Sequence, residues 1–251
     1  VHRRSTYEHY KSLGVRGFMS SDPSWVCGWK KQATINVESG RREHGMLPSS
    51  ITNAQDYPDF TRGAIVHQQN YDESLLLGPL AAATDREQYT LEFAMHWDKK
   101  LPTTTWNYGY MAFGRSHDGP LGIAGKFRGA SEDGCYVLAL RPGAKVRDEH
   151  GKYRTGDLAQ LIRLDGGPGA SREGKVLHTM NLKKPIKPNE SIEGKIVVKG
   201  KYFYFVINGQ YSAQIHDSAY RGPYVHFGRY HGNATGGPLV LTRALARESW
   251  A

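Results

Sequence analysis

The sequence predicts an all-β jelly-roll sandwich. Strand-like segments are short and numerous, about thirteen in all, and turn residues separate them every 8 to 12 residues or so. No long helical period competes with them. The predicted strands, in chain order, are residues 32–38, 64–69, 74–77, 89–97, 108–113, 121–127, 135–141, 158–164, 175–182, 192–198, 202–207, 211–215 and 224–230.

The domain organisation follows from what the sequence lacks. There is no internal repeat and no low-complexity linker, so we expect residues 1–251 to form one domain. Residues 1–31 are mixed and polar and contain tryptophan, without a sustained period, and predict an irregular or partly helical lead-in. Residues 46–62 carry Pro48, Pro58 and several Asn, Asp and Ser, and predict a loop.

The clearest strand is 89–97, because its apolar and polar residues alternate with a period of two. The residues expected on its buried face are Tyr89, Leu91, Phe93, Met95 and Trp97. Near the C-terminus, Asn208-Gly209 predicts a tight hairpin after the strand 202–207. Pro142-Gly143 is expected to end the strand 135–141, and the charged segment 143–157 to form a turn-rich connection.

Composition favours an acidic partner. The chain has 33 Lys and Arg against 24 Asp and Glu, a formal charge of +9 and a pI near 9.4. The basic residues are dispersed, which favours a charged groove over a disordered arm that binds nucleic acid. The 15 Tyr and 5 Trp are typical of clefts that bind sugars, and also of all-β cores.

We expect a secreted monomer that does not enter a membrane. No apolar run approaches the roughly 20 residues that span a bilayer. Two N-glycosylation sequons, at Asn189 and Asn233, add slightly to the expectation that the protein is secreted. Cys27 and Cys135 are the only cysteines. They could form one disulfide or stay as two buried thiols.

The stretch 222–232 is the strongest candidate for a functional strand. In an extended chain, successive side chains point to opposite faces of the sheet. One face then carries Tyr224, His226, Gly228 and Tyr230, and the other carries Val225, Phe227 and Arg229. Two phenols and an imidazole, with a glycine between them, favour a groove for a polar ligand over an apolar core.

This spacing resembles the strand Tyr-x-Lys-x-Gly-x-Tyr of jelly-roll polysaccharide lyases in the concanavalin A-like superfamily, which cleave glucuronan, heparin or alginate. Here His226 stands where those lyases usually have lysine. Arg41-Arg42-Glu43 resembles the Arg-x-Glu of their early groove strand. Phe113-Gly-Arg-Ser-His117 lies roughly where they carry Gln-x-His. The resemblance covers about the last 60 residues well and the first half loosely.

The resemblance implies β-elimination on an acidic polysaccharide, with no metal or cofactor. Such chemistry needs cationic or polar groups to neutralise the uronate carboxylate, a base for the proton on the adjacent carbon, and an acid for the leaving oxygen. Tyr230 is the expected base or acid, and His117 the complementary group. Arg41 and Arg115 would bind the carboxylate and favour phenolate, which otherwise costs about 4 kcal/mol at pH 7. The residues expected to hold the sugar are Tyr224, His226, Arg42, Glu43, His67 and Gln69.

Structural interpretations compete with these roles. Tyr224, Tyr230 and His226 could be core residues with satisfied polar atoms. Arg41 and Arg42 could be solvated charges at a strand edge, and His117 a surface histidine. The alternative function is a lectin-like module that binds the same polyanion without cleaving it.

Other classes lack their signatures. The sequence has no zinc-type Cys/His spacing, no phosphate-binding loop and no nucleophile elbow. A glycosidase needs two facing carboxylates, and only Glu43 and Glu92 are candidates. No recognisable nucleic-acid module is present, so we expect no nucleic-acid partner. Asp and Asn in loops leave a structural calcium ion possible, but no ligand spacing supports one.

Overall fold

Two antiparallel sheets pack face to face in the computed structural model, which describes residues 9–16, 65–67, 74–80, 86–105, 107–116, 134–166, 174–230 and 236–248. Within the described residues, sheet A has six strands and sheet B has seven. This topology confirms the all-β jelly-roll sandwich. That residues 1–251 form a single domain stays a prediction.

The strand bounds are as follows. Sheet A contains β2 (Ser74–Pro79), β4 (Tyr108–Gly114), β5 (Cys135–Arg147), β6 (Tyr153–Leu164), β7 (Lys175–Asn181) and β12 (Gly222–Tyr230). Sheet B contains β1 (Ile65–His67), β3 (Gln88–Trp97), β8 (Ile192–Lys199), β9 (Tyr202–Ile207), β10 (Gln210–Tyr211), β11 (Ile215–His216) and β13 (Leu239–Glu248). Sheet A has the strand order β2-β12-β4-β5-β6-β7, and sheet B has the order β1-β13-β3-β8-β9-β10, with β11 also paired to β9. The lead-in contributes one helical turn at residues 9–12.

The core lies between the sheets and is filled by alternate residues of each strand. On β3, the five residues expected on the buried face are all at most 2% exposed, which confirms the alternation. Val225 and Phe227 of β12 enter the same core from sheet A. Each fully buried side chain of this size contributes about 1.5–3 kcal/mol, and the core therefore fixes which face of each strand points outward.

Two strand predictions at the C-terminal end need correction. The return strand predicted at 211–215 is two short strands, β10 and β11, because the chain leaves β9 between them and pairs with it again. Residues 239–248 form β13, which the sequence did not predict. Its Leu, Ala and Arg residues favour helix locally, but pairing with β3 and β1 overrides that preference.

The prediction that Pro142-Gly143 ends a strand is also wrong. Strand β5 continues to Arg147, and β6 begins at Tyr153, so most of the predicted connection 143–157 is strand. A bulge between Arg141 and Ala144 absorbs Pro142, which has no N–H to give to the ladder. The Asn208-Gly209 hairpin is confirmed, with φ of 48° and 79° at its two turn residues.

Candidate functional site

The outer face of sheet A, opposite the core, carries the candidate site. Along β4, β5 and β6, core residues alternate with a second buried set, which therefore points to the other face. That set is Tyr108, Tyr110, Ala112, Cys135, Val137, Ala139, Ile162 and Leu164, with Val176 and Tyr230 packed against it. A patch rich in phenols thus forms where β12, β4 and β5 lie side by side.

Three tyrosines and one arginine form the centre of this patch, which we call the phenol cluster: Tyr108, Tyr110, Tyr230 and Arg141. Tyr230 is the cross-strand partner of Tyr108. Their rings stack with centroids 5.1 Å apart and an interplanar angle of 6°. The Tyr110 ring meets Tyr108 edge to face at 6.0 Å.

Arg141 contributes the guanidinium group of the phenol cluster. Its Cζ lies 4.1 Å from the centroid of the Tyr108 ring, a cation–π contact. Arg141 is 8% exposed, and Tyr230 is half-buried. A partly accessible phenol therefore stacks on a ring that also contacts a cation.

Gly228 makes room for this arrangement. It pairs with Tyr110 across the strands, and a Cβ placed on Gly228 would lie 2.5 Å from the Tyr110 hydroxyl oxygen. Any side chain at this position would displace the ring. The Tyr110 ring is fully buried.

The other residues predicted on β12 lie deeper. His226 is 0% exposed and pairs with Ala112, and Tyr224 is 4% exposed. Arg115 is 1% exposed and forms a β-bridge with Tyr224, whose N–H donates to the Arg115 carbonyl at 3.0 Å. These three side chains lie in the interior of the protein, and direct contact with a sugar stays a prediction for them.

The structure places His67 and Tyr230 in different sheets. His67 belongs to β1, in sheet B, and its backbone pairs with Leu239, whereas Tyr230 lies in sheet A. The predicted residues Arg41, Arg42, Glu43, Gln69 and His117 lie outside the described residues. Their assignments stay predictions.

Sequence reasoning missed Tyr108, Tyr110 and Arg141. The spacing Tyr108-x-Tyr110 repeats the period of two seen in 224–230, and this signal could have suggested a second row of phenols. Arg141 lies two positions beyond Ala139 on the same face, but only the register of β5 with β4 shows that it meets Tyr108.

Gln160 is a further buried polar residue on the outer face of sheet A, with 1% exposure. Its Nε2 donates to the Arg147 carbonyl and to the Thr179 hydroxyl, both at 3.0 Å.

Within the described ranges, no three His, Cys, Asp or Glu side chains lie together as a metal site would require. In the same part of the chain, no helix is long and apolar enough to span a membrane.

Comparisons with known proteins give fold-level similarity. The sequence matches no protein-family model and no curated protein. Its structure is similar to that of alginate lyase A1-II′, a member of polysaccharide lyase family 7, at 14% identity and a TM-score of 0.44, covering 80% of this chain and 86% of that one. A protein of unknown function with a galectin-like fold, from Bacillus subtilis, matches at 14% identity and a TM-score of 0.47, covering 76% of this chain and 85% of that one.

A carbohydrate-binding module, CBM66, also from Bacillus subtilis, matches at 14% identity and a TM-score of 0.44, covering 74% of this chain and 86% of that one. At such identities and scores the similarities concern the two-sheet fold alone. Family 7 alginate lyases are thus among the solved structures whose fold this chain resembles.

Proposed function

We propose that the protein cleaves an acidic, uronate-containing polysaccharide by β-elimination at the phenol cluster. One observation carries the proposal: the half-buried phenol of Tyr230 stacks on Tyr108, whose ring contacts the Arg141 guanidinium at 4.1 Å. A phenol works as a base near neutral pH only where a nearby cation favours its ionised form. Arg141 adds to, or replaces, the cations predicted at Arg41 and Arg115.

The proposed step moves one proton off the sugar and returns one to it. Tyr230, as phenolate, takes the proton from the carbon that bears the carboxylate. The C–H electron pair becomes a double bond to the neighbouring carbon, and the glycosidic C–O bond breaks with its electrons on oxygen. That oxygen takes a proton from an acid, for which His117 is the candidate.

The formal charge of +9 supports an anionic substrate, because a cationic protein attracts a polyanion at long range. The step needs no metal or cofactor, and this stays an expectation. Secretion and a monomeric state are likewise proposals that fit a polysaccharide substrate.

The test is to incubate the protein with alginate, glucuronan and heparin and to follow the ultraviolet absorbance of unsaturated sugar ends. We expect absorbance to grow with at least one polymer, and Tyr230→Phe to abolish it while the fold is kept. The matched control is Tyr211→Phe, since Tyr211 is 70% exposed on β10 of sheet B. A folded Tyr230→Phe variant with full activity contradicts the assignment.

A lectin-like module is the second candidate. The deep burial of Arg115 favours it, because one of the two cations predicted to neutralise the uronate carboxylate is then inaccessible, and β-elimination needs that neutralisation whereas simple binding does not. Binding of a uronate polymer without any growth in absorbance, for wild-type protein at several pH values, selects this alternative.

A further inference from the structure

The β5–β6 hairpin folds back over the outer face of sheet A. Gln160 is the cross-strand partner of Ala139, yet its side chain bonds the carbonyl of Arg147, further along the same strand. In a straight strand, at about 3.3 Å per residue, Ala139 and Arg147 would be more than ~20 Å apart. The distal part of the hairpin, residues 144–155, therefore turns back toward Gln160, and we call it the flap.

Both strands contain a glycine where the flap bends. Gly143 has φ of 56° and Gly156 has φ of 112°, backbone conformations that favour glycine. The Gly143 N–H donates to the Asp157 carboxylate at 2.7 Å, which holds the bend. At the tip of the flap, the Glu149 carboxylate contacts Nδ1 of His178 on edge strand β7 at 3.4 Å.

The flap lies beside the phenol cluster. The Lys145 N–H donates to the carbonyl of Thr105 at 3.4 Å, shortly before β4 begins at Tyr108. Arg141, which contacts the Tyr108 ring, directly precedes the bulge from which the flap starts. A polymer bound at the phenol cluster would thus meet the flap as its chain continues.

The flap presents more cations than its acids neutralise. The basic residues Lys145, Arg147, Lys152 and Arg154 are all exposed. Asp148 is buried and bonded by Arg154 at 2.8 Å, and Glu149 contacts His178. No carboxylate in the described part of the chain pairs with Lys145 or Arg147.

Those two cations lie against an exposed aromatic ring. Tyr153 is 62% exposed and is the cross-strand partner of Arg147. The Arg147 guanidinium lies 5.3 Å, and the Lys145 ammonium 6.0 Å, from the centroid of its ring. A phenol face suits the C–H face of a sugar ring, and two adjacent cations suit the carboxylate on that ring.

We propose that the flap is a second subsite for the same acidic polysaccharide, in which Tyr153 stacks on a uronate ring and Lys145 and Arg147 bind its carboxylate. The inference rests on the proposed function, because that function places the polymer on the outer face of sheet A. It adds that affinity grows with chain length, since only a longer chain reaches both the phenol cluster and the flap.

The test measures dissociation constants by calorimetry for short and long oligouronates, with the Tyr230→Phe variant as background so that no sugar is consumed. We expect Tyr153→Ala, and separately K145S with R147S, to weaken binding of the long oligomer about tenfold. Binding of the disaccharide should be unchanged. The matched controls are Tyr211→Ala, which removes an exposed ring from β10, and K199S with K201S, which removes two exposed cations from the end of β8 and the turn that follows it.

Two results would overturn the subsite. One is a long-oligomer affinity that is unchanged in the flap variants or is lost equally in the controls. The other is equal affinity for single-stranded DNA of the same charge with the same sensitivity to the flap variants, which would mark a general polyanion surface.

The subsite and the proposed reaction fail separately. If wild-type protein forms unsaturated ends but the flap variants bind normally, the subsite is wrong and the reaction stands. If wild-type protein forms none but the flap variants lose affinity for long oligomers, the subsite stands and the β-elimination is wrong.

Discussion

At the scale of single residues, the contact between Gly228 and Tyr110 shapes the phenol cluster. The Tyr110 hydroxyl occupies the space that a side chain at position 228 would need. Tyr110 in turn packs against Tyr108, on which Tyr230 stacks. One missing side chain on β12 therefore sets where three phenols lie.

We expect Gly228→Ala to destabilise the protein by about 1–3 kcal/mol, because the added methyl overpacks a site that is fully buried. Chemical denaturation measures this cost directly. In a Tyr110→Leu background the same substitution should cost less, since the phenol that clashes is gone. Equal costs in both backgrounds would show that Tyr110 does not limit the space at position 228.

At the scale of elements, the β5–β6 hairpin shows how local signals mislead. Pro142-Gly143 is a turn signal, and it predicts the end of a strand. In the sheet, the bulge at this point bends the strand without ending it, and the bent part becomes the flap. Asp148 then holds the tip together by accepting bonds from Arg154 and from the N–H groups of His150 and Lys152.

The acid stability of the flap follows from Asp148. Burial alone would raise the pKa of this carboxyl, but the bonds from Arg154, Lys152 and His150 outweigh it and lower the pKa below its usual 3.8. A carboxyl with a lowered pKa stabilises the fold above its ordinary pKa, and that stability is lost as pH falls through the lowered value.

Asp148→Asn should therefore speed amide hydrogen exchange in residues 144–155 at neutral pH. The midpoint of thermal unfolding should move by less than about 3 °C, since the flap opens locally. Lys152→Ser is the control, because only the backbone of Lys152 bonds to Asp148. Unchanged exchange in the Asp148→Asn flap would show that these bonds do not hold it.

At the scale of the whole molecule, a polar network ties sheet A to the segment before β12. The Tyr136 hydroxyl donates to Asp217, and Arg163 donates to Asp217 and Asp165. Tyr220 completes the network through a 2.9 Å bond to Asp165. The network joins β5 and β6 to residues 217–220, which lead into the strand of the candidate site.

The network limits stability at both ends of the pH scale. Burial opposes ionisation of Asp217, but bonds from Tyr136, Ala219 and Arg163 prevail and lower its pKa. Burial and the bond to Asp217 raise the pKa of Tyr136. The stability that Asp217 contributes is lost as pH falls below 3.8. The stability that Tyr136 contributes is lost as pH rises above about 10, the usual pKa of a free tyrosine.

We therefore expect the midpoint of thermal unfolding to be nearly constant between about pH 7 and pH 9 and to fall outside that range. Burial lowers the pKa of His96 below its usual 6.5, so unfolding lets His96 take up a proton as pH falls below 6.5, and a first part of the stability is lost there. Differential scanning calorimetry across pH measures the profile. In Tyr136→Phe the alkaline fall should be smaller, because one buried phenol no longer ionises on unfolding; Tyr89, whose pKa burial also raises, still contributes. An alkaline limb identical to that of wild-type protein would contradict this role for Tyr136.

The sequence by itself determined the all-β class, the buried face of β3, the Asn208-Gly209 hairpin and the strand that carries Tyr230. Each of these depends on residues close together in the chain, where alternation and turn chemistry act directly. Tertiary structure alone decided that β13 is a strand, that Arg141 meets Tyr108, that His67 lies in the other sheet, and that the flap folds back. The first three features depend on register between distant strands, which is set by packing of the whole core and leaves no local pattern. The position of the flap depends on hydrogen bonds made across the bend, such as that from Gln160 to the Arg147 carbonyl.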